Sequence, residues 1–67
     1  MVDKKIVGSR LKELRGDKTV QEVAFDLGIC PSALSNYENG IRTPRDQIKF
    51  RIAQYYNKSL ESIFFNS

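Results

Sequence analysis

The chain has 67 residues, 40% of them hydrophobic, and 11 Lys and Arg against 8 Asp and Glu, for a net charge of +3. This is enough apolar residue for one small core and too much for a disordered chain, so residues 1–67 are read as a single domain. With no His and one Cys, the usual general bases, nucleophile pairs, transition-metal ligands and disulfide staples are missing, which argues against an enzyme, a metal site or a cofactor.

A lone Cys suits a reducing cytoplasm. No apolar run is long enough for a bilayer, and the lysines of MVDKKIVGSR are not followed by the apolar stretch of a secretory signal. We therefore expect a cytoplasmic protein with no membrane contact and no small-molecule ligand. The mild basicity favours an anionic partner only modestly.

Turn signals divide the chain into five helical segments. The first, residues 4–15, sets Val7, Leu11 and Leu14 on one face before RGDK (Arg15–Lys18) breaks it. In the second, Thr19 and Glu22 have the spacing of a capping box. Val20, Val23, Ala24 and Leu27 follow at helical period, and Gly28 suits a left-handed exit.

The third segment lies within ICPSALSNYENG, with Pro31 suited to a first helical position and Gly40 to the exit. The fourth opens at TPRD, where Thr43, Pro44 and Asp46 read as cap, first turn and capping-box acid. Inside it IKFRI alternates like a strand, but the caps and the following AQYY favour helix. The fifth starts at Ser59 and gathers Leu60, Ile63 and Phe64 on one side.

At 100° per residue the third helix separates into two faces. Leu34, Tyr37 and Glu38 gather on one. Ser32, Asn36 and Asn39 gather opposite, with Ser35 on the flank. The second face is either an ordinary solvated surface or a reading surface. Solvated faces normally use Lys, Glu, Arg and Gln, which favour helix, whereas Ser and Asn disfavour it. Short amides and hydroxyls suit base edges in a major groove, Asn especially to adenine.

The second and third segments, joined by a tight glycine turn, have the form of a helix-turn-helix. Glu38, an acid on the core side, calls for a partner, and Arg15 projects from the face that carries Leu11 and Leu14. An Arg15–Glu38 ion pair would tie the first helix to the third. The alternative is two unrelated surface charges.

LKELR, TVQEVAFDLGI, SALSNYENGIRTPR and IAQYYNKSLESIFF together resemble the phage-repressor-like helix-turn-helix family, also called Cro/CI-like or Xre-like. The resemblance runs from about Ile6 to Phe65. It implies an all-α, compact five-helix DNA-binding domain acting in transcriptional control, commonly as a homodimer. It also implies an Arg15–Glu38 pair.

Carried over by position, Ser32 and Asn36 match base-reading residues, with Ser35 beside them. Thr19, Asn39 and the loop holding Arg42 and Arg45 match phosphate-binding ones. Where the family often has Gln, this chain has Val20 and Pro31. The apolar pair removes a familiar amide contact but suits a thymine methyl, which puts Pro31 among the base-reading candidates. Cys30 stands where a Ser cap is common.

Arg42, Arg45, Lys49 and Arg51 follow the third helix, and Lys4, Lys5, Arg10, Lys12 and Lys18 precede it. Basic flanks around an uncharged helix match a division between phosphate contacts, which give affinity, and base contacts, which specify. The fourth helix has two apolar stripes, Ile48/Ile52/Tyr55 and Phe50/Ala53. One is expected in the core, and Phe50 and Phe65 are the candidate dimer contacts.

Five helices use nearly the whole chain, so regulation is expected to act through protein amount, dimerisation or another protein. The expected function is a sequence-specific double-stranded DNA-binding regulator, a repressor in the first reading. The alternative is a protein-interaction module, an antitoxin or adaptor, on the same fold.

Overall fold

The computed structural model describes residues 3–65 and contains five helices and no strand among them. Helix α1 spans Lys4–Arg15, α2 Val20–Leu27, α3 Pro31–Glu38 and α4 Asp46–Tyr56. The last, α5 (Glu61–Phe65), is wound as a π-helix. The strand-like alternation of IKFRI is overridden, since all five residues lie within α4.

Local chemistry explains most of the boundaries. The Asp3 carboxylate accepts from the Lys5 N–H at 2.9 Å and opens α1. Thr19 and Glu22 form the reciprocal capping box, each bond 3.1 Å long, so two otherwise orphaned N–H groups at the start of α2 are satisfied. Gly28 leaves α2 in the left-handed region (φ 73°, ψ 31°), where a side chain would be strained. Pro31 occupies the first turn of α3, where its missing N–H costs nothing.

The start of α4 differs from the expectation. Thr43 does not cap it; the chain runs extended through Arg45 (φ −69°, ψ 166°) and the helix begins at Asp46. Pro44 is buried, and the first turn closes on the Arg45 carbonyl, which accepts from the Lys49 N–H at 3.0 Å. At α5 the Ser59 hydroxyl accepts from the Ser62 N–H at 3.1 Å, so Ser59 marks the entrance although the helix begins two residues later.

All five helices contribute to one core: Val7 and Leu11, Val23, Ala24 and Leu27, Leu34, Ile52 and Ala53, and Ile63 and Phe64. Helix α3 packs on both α1 and α2. The approach to α1 is close at Gly8. A Cβ there would sit 2.8 Å from Glu38 C and 2.9 Å from the Tyr37 carbonyl oxygen, and closer still to that of Glu38. The α1 surface holds α5 through Arg10, whose Nη1 donates to the carbonyls of Ser62 and Ile63 at 3.1 and 3.0 Å.

In α4 the buried residues are Ile52 and Ala53, one from each expected stripe, because the helix turns the edge between the stripes inward. Ile48, Tyr55 and Tyr56 pack partly buried around them. Phe50 stays 61% exposed and Phe65 45%.

The Tyr56 hydroxyl is buried with no hydrogen-bond partner among the described residues. Burial, and then the negative charge of Glu38, push its pKa up to about 12 from 10.0. The neutral phenol is therefore favoured in the fold. The associated stability is complete below pH 10 and is lost as pH rises through about 12. Urea denaturation from pH 8 to 12 is expected to show a shallower alkaline decline for Tyr56→Phe than for wild type. Parallel declines would mean that the phenol is as solvated in the fold as in the unfolded chain.

Candidate nucleic-acid interface

The core side of α3 anchors it. Leu34 is 1% exposed and Glu38 4%, with Tyr37 partly buried. Glu38 is held by Arg15 through two parallel bonds, Nε to Oε2 at 2.8 Å and Nη2 to Oε1 at 3.1 Å. The remaining arm of the fork, Nη1, donates to the Lys18 carbonyl at 2.7 Å. One guanidinium thus joins the end of α1, the turn before α2 and the end of α3. The Glu38 hydrogen bond is the main cause of an Arg15 pKa raised above its ordinary value.

With that side fixed, the short polar residues face outward. Ser32 and Asn39 are exposed, and Ser35 and Asn36 are partly exposed. Asn39 Nδ2 donates to the Ser35 hydroxyl at 3.3 Å, one helical turn back. The Asn36 carbonyl accepts from the Ile41 N–H at 2.9 Å and the Arg42 N–H at 3.3 Å, fixing the following loop beside the helix. Gly40 makes this turn with φ +71°, and a Cβ added there would sit 2.9 Å from both Cα and Cγ of Lys5 in α1.

Between α2 and α3 lies an open cleft of about 520 Å³, lined by Val20, Gln21, Pro31, Ser32, Ser35 and Asn36. It brings three of the base-reading candidates expected on α3, together with Pro31, to one place. Thr19, Arg42 and Arg45 are exposed around it in sequence, at the start of α2 and in the loop leaving α3. Gln21 was not singled out from the sequence. Its signal was there: it follows Val20 at the first turn of α2, one step round the helix from the buried stripe.

Several cations of the basic flanks have partners within the fold. Arg51 Nη1 donates to the Leu27 carbonyl at 3.2 Å, satisfying the end of α2. Lys49 lies over the Phe64 and Phe65 rings, 5.8 and 5.5 Å from their centroids, and 3.7 Å from Asp46. Lys18 donates to the Tyr55 hydroxyl at 3.0 Å, which donates in turn to Asp26 at 2.7 Å. The Lys18–Tyr55 hydrogen bond is the leading cause of a raised Lys18 pKa. Lys4 reaches the Ile41 carbonyl at 3.4 Å, and Arg10 holds α5. Long cations near a helix end serve backbone carbonyls as readily as phosphates, which sequence position does not distinguish.

Cys30 is exposed at the N-cap of α3 and makes no side-chain cap bond. Phe25 is 85% exposed on α2, a feature the helical pattern of that segment did not flag. No group of three or more His, Cys, Asp or Glu is placed to hold a metal ion among the described residues. No helix there is long and apolar enough to cross a membrane.

A helix-turn-helix family model matches residues 11–63, most of the chain and the whole of the α2–turn–α3 unit. The chain belongs to the helix-turn-helix family. It is also similar to an uncharacterized HTH-type transcriptional regulator, YvzC, of Bacillus subtilis strain 168. The two are 27% identical over 52 residues, which cover 78% of this chain and 68% of that one. No solved structure matches the chain. Family membership agrees with the phage-repressor-like resemblance and with the all-α, five-helix expectation.

Proposed function

We propose that this helix-turn-helix protein is a sequence-specific, double-stranded DNA-binding transcriptional regulator of the cytoplasm, acting as a homodimeric repressor. The observation that carries the reading is the outward face of α3. Its side chains are short, uncharged and hydrogen-bonding, and the helix beneath them is locked by Leu34 and the Arg15–Glu38 pair. Ser32, Ser35, Asn36 and Pro31 read base edges in the major groove. Thr19, Asn39, Arg42 and Arg45 hold phosphates and set the register.

The molecule measures 28 × 23 × 22 Å. One copy is shorter than a turn of DNA, about 34 Å, so reading two half-sites takes two copies. Phe50 and Phe65, both exposed and both close to Leu60 in one apolar hollow with Asp46 and Lys49, are the dimer contacts in this account. Repression then follows from occupancy of the operator.

Two substitutions separate the roles. Asn36→Ala is expected to relax base preference at one position per half-site, a loss of about 1–3 kcal/mol of discrimination. Arg42→Ala is expected to weaken all sequences alike and lower the salt slope by about 1. Competition titrations on matched and mismatched duplexes at several salt concentrations measure both. Equal behaviour of the two variants would contradict the assigned roles.

A further inference from the structure

The cleft between α2 and α3 has two kinds of wall. Ser32, Ser35, Asn36 and Gln21 are polar, whereas Val20 and Pro31 are its two apolar lining residues. Both apolar groups are rigid. Val20 is β-branched and packs against the core, and Pro31 is fixed by its ring at the first position of α3. Neither side chain donates or accepts a hydrogen bond, and Pro31 has no N–H.

We propose that the Val20–Pro31 wall is a thymine-specific subsite, packing on the C5-methyl group of a thymine in each half-site. The proposal rests on the reading of α3 as a major-groove helix and names what that helix selects. Thymine alone among the bases presents an apolar group to the major groove. Cytosine would place only its C5–H against the wall and lose the methyl contact.

Asn36 gives the subsite its neighbour. Pro31 and Asn36 are five residues apart, about 7.5 Å along the helix axis. The methyl contact and the adenine taken by Asn36 therefore fall on the same base pair or on pairs within about two steps. The half-site is consequently A·T-containing at the α2–α3 cleft, with orientation fixed by which side meets the apolar wall.

The test replaces each thymine of the selected operator in turn by deoxyuridine, which removes only the methyl group, and measures affinity for the wild-type protein. One thymine per half-site is expected to lose about fourfold, the weight of one methyl at ~0.8 kcal/mol. Cytosine at that position is expected to lose at least as much, and 5-methylcytosine to recover part of it. Pro31→Ala and Val20→Thr, each checked for native helicity by circular dichroism, are expected to bind the thymine and uracil duplexes equally. A recovered operator on which every uracil replacement stays within twofold would overturn the subsite alone, as would full uracil sensitivity retained in both variants. Failure to recover any preferred sequence would overturn the DNA-reading function and the subsite together.

Discussion

Arg15→Ala is expected to destabilise the fold by about 3–5 kcal/mol, because it leaves the Glu38 carboxylate buried without its partner. The Glu38 side chain is 3% exposed and that of Arg15 22%, so the two halves of the pair are not equivalent. Glu38→Ala strands a guanidinium that still reaches water and the Lys18 carbonyl, and it is expected to cost less. A domain of this length holds about 3–10 kcal/mol in total. The Arg15 variant is therefore expected to lose about a third or more of the total stability, and the Glu38 variant less.

The double change Arg15→Met, Glu38→Leu is expected to regain most of the loss, since well-packed apolar groups replace buried pairs at little cost. Urea midpoints for the four proteins measure these differences. An Arg15→Ala midpoint equal to that of wild type would show that the pair does not hold α3 in place.

Gly8→Ala is the second large effect. By helix propensity alone the change would stabilise α1 by about 1 kcal/mol. The added Cβ, however, meets α3 backbone at Glu38 and Tyr37 inside 3 Å, and backbone cannot swing aside as a side chain can. The helices have to separate, which also pulls on the 2.8 and 3.1 Å bonds of the Arg15–Glu38 fork. Overpacking of this kind costs about 1–3 kcal/mol or more. A net loss of about 2 kcal/mol is expected in thermal or urea melts. Ser9→Ala, at the exposed neighbour, is the control and is expected to change stability by about 0.5 kcal/mol or less. Stabilisation by Gly8→Ala would contradict the close α1–α3 crossing.

Arg15, Glu38 and Gly8 also show what was legible in the sequence. Arg15 and Glu38 could be paired in advance because each sat on the apolar side of its own helix, and a charge there demands a partner. The capping box of α2 and the glycine exit were legible for the same reason: both are local, with fixed spacing. Gly8 carried no such signal. Its smallness matters only because α3 returns across it thirty residues later, a tertiary fact that a helical wheel does not contain.

The cations divide in the same way. Sequence order put Lys49 and Arg51 on the flank of the reading helix, yet one stacks over Phe64 and Phe65 and the other closes α2. Thr43 looked like a cap by residue type, but the backbone stays extended through Arg45 and the helix starts at Asp46. On α3 the division between anchored and outward faces was legible from the 100° period alone. The cleft with Val20 and Gln21 was not, because it depends on how α2 and α3 cross.

The central claim is that two copies of this domain read DNA through α3. Selection of the wild-type protein on a randomised duplex library tests it most directly. The account predicts a two-fold symmetric site, its half-sites about one helical turn apart and each containing A·T pairs. Recovery of unenriched sequence at low salt, or of a single asymmetric half-site, would contradict it.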